Sequence, residues 1–132
     1  MMTSTLQIQM DNARTFIHHN YQRMPSLHRL ALLVGTNECT LKRCFKQSFG
    51  TTVFGYLFNL RMEMAVQLLC NTDEPVSTIG YQLGYEHQSH FCTAFKRKYG
   101  VSPSLFRDLQ NKVIASAPTS RLEVYDDVGR EV

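Results

Sequence analysis

The sequence predicts an all-α protein: two helix-turn-helix units joined by one long helix. Three observations lead there. Apolar residues recur at spacings of three and four, and no convincing alternating strand precedes residue 111. The run FKQSFG at 45–50 returns as FKRKYG at 95–100, so Phe45, Lys46 and Gly50 meet Phe95, Lys96 and Gly100 as identities. Between the copies lies an unbroken helical pattern over 51–71. The repeat reaches further, since Leu41 meets Phe91, Phe49 meets Tyr99, Thr52 meets Ser102 and Tyr56 meets Phe106.

Residues 10–21 (MDNARTFIHHNY) form a first helix with Ala13, Phe16 and Ile17 on one face. Pro25 breaks it, and Ser26 is placed to cap SLHRLALLV, which buries Leu27, Leu30, Ala31 and Val34 and ends at Gly35. After a turn of about two residues, Asn37 can cap ECTLKRCFKQSF. That helix is apolar behind (Leu41, Cys44, Phe45, Phe49) and polar or basic in front (Thr40, Lys42, Arg43, Lys46). The first helix-turn-helix thus covers about 26–50.

The connecting helix, about 52–71, has Val53, Leu57, Leu60, Met64 and Leu68 as its stripe, widened by Phe54, Ala65 and Leu69. At about 1.5 Å per residue it is a rod of roughly 30 Å, near the ~34 Å of one B-DNA turn. Such a rod can hold two reading units against one face of a duplex. Met62 and Met64 read as core filler.

The second unit, about 76–100, repeats the plan: Pro75, then VSTIGYQL, then Gly84, then HQSHFCTAFKRKY with Phe91, Ala94, Phe95 and Tyr99 inward. One residue more separates Gly84 from Gly100 than separates Gly35 from Gly50, so the two turns should differ by about one residue. Ser102 and Pro103 start a last helix over about 103–110. Residues 111–132 are polar, with Pro118 and Gly129, and are expected to be a mostly disordered tail; RLEVY at 121–125 is its one conceivable strand.

Composition bounds the function. An apolar share of 43% and an aromatic share of 11% suit a globular chain whose core, without Trp, rests on Phe, Tyr, Leu and Met. The net charge of +3 is mild, but Lys42, Arg43 and Lys46 face only Glu38, and Lys96, Arg97 and Lys98 face only Glu86. Positive charge therefore gathers in the two matching segments. The four cysteines show no zinc-type spacing and read as reduced thiols of a cytosolic protein. No signal peptide and no membrane span is expected.

A helix-turn-helix lays its second helix in the major groove. In the first unit Cys39, Thr40, Lys42, Arg43 and Lys46 face outward; Arg43 and Lys42 can donate to guanine, while Thr40 and Lys46 suit phosphates. In the second, Gln88, Ser89, His90 and Thr93 face outward, with Lys96 and Arg97 nearer the backbone. Gln88 can pair with adenine, and Thr93 can touch a thymine methyl. The second set carries less charge at base-facing positions, so it should add more affinity than discrimination.

His87 and His90 share a helix face with Cys92 near in sequence, which keeps open a metal sensor or small metal-dependent enzyme as the remote alternative; the favoured reading has no metal, no cofactor and no catalytic residues.

The stretches LALLVG…LKRCFKQSFG and IGYQLGYEHQSHFCTAFKRKYGVSPSLFR, with the helix between them, resemble the DNA-binding domain of the AraC/XylS family of bacterial transcription regulators over about 10–110. The resemblance implies seven helices, binding to asymmetric promoter sites, and activation through RNA polymerase, by its α C-terminal domain or its σ factor. Carried over by position, base reading falls on Cys39, Lys42 and Arg43, then on Gln88, Ser89, His90 and Thr93. Thr93 departs from the arginine common at that position in the family.

Only nine residues precede the expected first helix, as in the small stand-alone members or in a fragment of a longer regulator. FGTTVFGYL is similar to a branch that regulates siderophore and iron-uptake genes. The expected protein is a cytoplasmic, nucleoid-associated activator, monomeric because two units already span an asymmetric site. Its rivals are a repressor and a truncated antagonist that occupies DNA or a partner without activating.

Overall fold

The computed structural model describes residues 4–116, which form seven helices: α1 (Ser4–Asn20), α2 (Leu27–Val34), α3 (Glu38–Phe49), α4 (Val53–Asn71), α5 (Val76–Gln82), α6 (Gln88–Tyr99) and α7 (Pro103–Ser116). The all-α class with two helix-turn-helix units about a long helix is as the sequence predicts. None of the helices among the described residues is long and apolar enough to cross a membrane.

Two ends differ from expectation. Helix α1 starts at Ser4 rather than Met10, because Leu6 continues the stripe formed by Met10, Ala13 and Ile17. Those last three side chains are fully buried, whereas Phe16 is only half-buried. Helix α7 runs to Ser116 instead of stopping at Gln110, so residues 111–116 are helical and not part of a tail. The segment NKVIAS offers no Gly or Pro to stop it. The segment 121–125, with the rest of 117–132, lies outside the described residues.

The core is in two parts. Met10, Ala13, Ile17, Leu30, Ala31, Leu41, Cys44 and Phe45 meet Val53, Leu57 and Leu60 of α4. Ile79, Leu83, Phe91, Ala94 and Phe95 meet Met62, Ala65 and Leu69 of the same helix. At about 100° per residue, the first set of α4 residues and the second lie roughly 140° apart around the axis. Helix α4 is therefore apolar on two faces in succession, one for each unit. Met62 is fully buried and Met64 partly, as core filler should be. Phe54, expected within the stripe, is instead 57% exposed, since it falls between those two faces at an end of the helix that only the first unit reaches.

The repeat extends into tertiary structure. Phe45, Phe49 and Tyr56 form an aromatic trio with centroids 4.8, 5.7 and 6.3 Å apart. Phe95, Tyr99 and Phe106 form its counterpart at 4.7, 5.4 and 6.1 Å. In both, the second helix of the unit is pinned to the helix that follows, through edge and tilted ring contacts. Thr52 Oγ1 accepts from the Gly55 N–H at 2.9 Å to start α4, and Ser102 Oγ accepts from the Leu105 N–H at 3.2 Å to start α7.

Candidate nucleic-acid interface

Helix α3 begins where Asn37 Oδ1 accepts from the Thr40 N–H at 2.8 Å. Its inward residues Leu41, Cys44 and Phe45 are buried and Phe49 is half-buried, which turns Cys39, Lys42, Arg43 and Lys46 to solvent. Thr40 sits on the shoulder, half-buried. Cys39, Arg43 and Lys46 follow one another at spacings of four and three, a single exposed ridge. Lys42 flanks it and holds Glu38 at 3.3 Å, an exposed pair that contributes little to stability but keeps that ammonium partly occupied. Among the described residues Arg43 and Lys46 sit in no ion pair.

Helix α6 repeats the ridge as Ser89, Thr93 and Lys96, all exposed, over buried Phe91, Ala94 and Phe95. Gln88 and His90 are exposed on opposite shoulders, about 160° apart at 100° per residue. The central ridge carries two cations in α3 and one in α6, the asymmetry read from the sequence. Arg97 is exposed but leans toward the connecting helix, its guanidinium 5.2 Å from the Phe58 centroid. Beside it Lys98 Nζ donates to Asn59 Oδ1 at 3.0 Å. Thus Arg97 packs against α4 while Lys96 stays clear on the ridge.

His87 and His90 meet edge to face with centroids 5.2 Å apart. Among the described residues no third His, Cys, Asp or Glu joins them in a group that could hold a metal ion.

The turns differ as predicted: Gly35 precedes α3 by three residues and Gly84 precedes α6 by four. Measured helix to helix the difference is two, because α5 ends at Gln82 and Leu83 serves as its cap. At Gly84 φ is +102°, and an added Cβ would stand 2.6 Å from Arg61 Nη2 and 2.9 Å from the Gln22 carbonyl oxygen. Only glycine meets both demands.

Three residues that position the interface were missed from the sequence. Arg61, half-buried in α4, donates from Nε to the Tyr21 carbonyl at 2.8 Å and faces the Tyr85 ring at 5.4 Å. Burial lowers its pKa, partly offset by Tyr85, and burial likewise raises that of Tyr85. The one signal for Arg61 was a cation wedged between Leu60 and Met62 in an apolar run. Arg107, in α7, donates to the carbonyls of Leu69 (3.1 Å), Glu74 (2.6 Å) and Thr72 (3.1 Å), closing the C-terminal end of α4. Gly80 lets Phe91 approach α5, for a Cβ there would lie 3.0 to 3.2 Å from three Phe91 atoms. Spacing alone announced neither of the last two.

Two buried-backed helices with matching exposed ridges, each preceded by a helix and a glycine-bearing turn, define a double helix-turn-helix protein. A family profile described as a helix-turn-helix domain matches residues 30–108. The transcriptional regulator with an AraC-type DNA-binding domain from Chromobacterium violaceum is similar in structure, with TM-score 0.72 and 27% identity over 82% of this chain and 96% of that one. The C-terminal domain of AraT, a response regulator from Geobacillus stearothermophilus, aligns with TM-score 0.69 and 30% identity, over 81% of this chain and 86% of that one. Among curated proteins, the HTH-type transcriptional activator RhaS of Yersinia pestis is 34% identical over 98 residues, 74% of this chain and 35% of the relative.

The chain belongs to the AraC-type family of helix-turn-helix transcription regulators, which are DNA-binding proteins and not enzymes. It spans about a third of the length of the curated relative RhaS.

Proposed function

We propose that this chain binds double-stranded promoter DNA with α3 and α6 in two successive major grooves, as a monomer, and activates transcription by contacting RNA polymerase. The observation that carries the reading is the repeated ridge: Cys39, Arg43 and Lys46 on α3 recur in register as Ser89, Thr93 and Lys96 on α6. Helix α4, 19 residues and so roughly 28 Å long, joins the two units. That is close to the ~34 Å between equivalent points of one duplex face.

In this reading Arg43 and Lys42 read bases in the first groove while Thr40 and Lys46 hold phosphates; Gln88, Ser89, His90 and Thr93 face bases in the second, with Lys96 and Arg97 toward the backbone. The activator name of the RhaS relative supports the sign of regulation. Recruitment would run through the polymerase α C-terminal domain or σ factor, in the cytoplasm at the nucleoid.

The test is selection of bound duplexes from a random library at near-physiological salt, followed by sequencing. Two enriched blocks about one helical turn apart are expected. One block would reduce α6 to a phosphate clamp, and no enrichment would remove sequence-specific reading altogether. Transcription in vitro from a promoter carrying the selected site, with and without the protein, separates activator from repressor or antagonist.

A further inference from the structure

A groove of about 980 Å³ runs along the outer flank of α3 and under the first turn of α4. Leu27, Val53 and Phe54 make its apolar floor, and its charged lining is Arg43 and Lys46 together with the Lys42–Glu38 pair. Phe54 is 57% exposed there, a large aromatic ring left in water.

The internal repeat serves as a control for what that ring is for. Thr52, Val53 and Phe54 correspond to Ser102, Pro103 and Ser104 of the second unit. The caps of α4 and α7 are alike, and so are the aromatic trios behind them. The second unit therefore builds the same fold with a serine in place of Phe54. Folding of the unit thus requires no exposed aromatic ring at this position.

The surrounding charge says what could cover it. Arg43 and Lys46 sit in no ion pair among the described residues, while Lys42 already holds Glu38. In the DNA reading a guanine takes Arg43 and a phosphate takes Lys46, and neither gives the floor an apolar partner. A molecule with one anionic head and an apolar body satisfies both the cations and the floor, and the groove lies in the ~300–1,000 Å³ range of small-molecule sites.

We propose that this groove binds a small amphipathic anion, such as an aromatic or aliphatic carboxylate, with its body on Phe54, Leu27 and Val53 and its head on Arg43 and Lys46. Because the same two cations are assigned to DNA, the ligand and the duplex exclude one another, and the ligand turns binding off. The competition rests on the proposed DNA reading; the groove itself does not.

The test uses the full chain and anilinonaphthalene sulfonate, a fluorescent aromatic anion, titrated first without DNA. Saturable binding of one probe per chain is expected, with displacement by the library-selected duplex. Phe54→Ser installs the residue of the second unit at an exposed position, so folding is spared. It should weaken the probe about tenfold, the loss expected for uncovering one aromatic ring, while duplex affinity stays within about twofold. Unsaturable binding, or probe affinity unchanged in Phe54→Ser, would overturn the groove. Equal loss of probe and duplex in the variant would make Phe54 a DNA contact and overturn it too. One-to-one probe binding lost in Phe54→Ser, with no duplex bound by the wild type, would uphold the groove and sink the DNA reading along with the competition.

Discussion

Arg61 faces the Tyr85 ring with its guanidinium 5.4 Å from the centroid while its Nε donates to the Tyr21 carbonyl at 2.8 Å. One side chain of the connecting helix thus touches the segment leading out of α1 and the turn leading into α6. It is the cation nearest the change of face in α4, between Leu60 of the first core and Met62 of the second. Replacing it with Met keeps the apolar stem but loses a charge-assisted bond and a ring contact, at a cost of about 2 kcal/mol. Thermal unfolding should fall by several degrees. Arg61→Lys should recover only part of this, because an ammonium cannot keep the planar fork that serves both partners. An unchanged melting curve for Arg61→Met would show that the contact contributes nothing.

Tyr85 also makes stability depend on alkali. Burial raises its pKa above the ordinary tyrosine value, outweighing the guanidiniums of Arg61 and Arg97; Tyr99 is raised too, by burial and by Glu63. The folded state therefore holds these phenol protons at a pH where the unfolded chain has released them. Their contribution is fully present below about pH 10, the unfolded value, and is lost as pH rises through the folded values. Melting temperature should stay level on this account up to about pH 9 and drop above pH 10. Tyr85→Phe should flatten part of that drop, and absorbance titration of the phenolates should follow the same curve.

Gly80 and Phe91 form a matched pair that the first unit builds differently, with Ala31 and Leu41 at the corresponding positions. A methyl on Gly80 would meet Phe91 atoms at 3.0 to 3.2 Å in a buried contact, so the ring or α5 must give way. Gly80→Ala should destabilise by about 1–3 kcal/mol. Adding Phe91→Leu restores the pairing of the first unit. The double variant should then lose less than the sum of the singles, by at least about 0.5 kcal/mol in denaturant unfolding. Strict additivity would mean that α5 simply shifts to make room.

The helices and the inward faces were legible because periodicity, capping residues and the repeat agree. Ser26, Asn37 and Ser102 each cap where the sequence puts them, and Thr52 caps α4 in the place its repeat partner Ser102 holds for α7. The exposed ridges followed by subtraction once the buried faces of α3 and α6 were known. What stayed hidden depends on pairs far apart in sequence. Arg61 with Tyr21, Arg107 with Leu69 and Gln9 with the Gly35 carbonyl are contacts between positions 26 to 40 residues apart. No local pattern encodes them. Phe54 was misread for a related reason: spacing gives the angle of a side chain around its helix but not whether a neighbour stands opposite.

Arg107 is the clearest of these long-range supports. It donates to the carbonyls of Leu69, Thr72 and Glu74 just where α4 runs out of backbone partners, and Thr72 Oγ1 adds a bond to the Leu68 carbonyl at 2.6 Å. Arg107→Ala leaves several half-buried carbonyls short of a donor, and should cost about 2 kcal/mol. Amide exchange should quicken first at residues 70–74 and in α7, while α2 and α3, which pack in the other core, keep their protection. Uniform quickening across the chain would mean that the two units unfold as one.

The two ridges make separable predictions about DNA. Arg43 stands at the centre of the first, exposed and in no ion pair among the described residues, with a fork that can bind one guanine at two atoms. Arg43→Ala should cost about 1–3 kcal/mol on the selected duplex, much less on random DNA, and relax preference at one or two base pairs. Lys96 lies on the last turn of α6, where a point charge suits a phosphate rather than a base. Lys96→Ala should weaken every sequence alike and lower the slope of log K against log salt by about one. Competition titrations at several salt concentrations measure both effects in one experiment. If Arg43→Ala left the site preference intact, α3 would sit in the groove in another register. If Lys96→Ala changed preference without changing the salt slope, α6 would be reading bases and the division of labour between the units would be reversed.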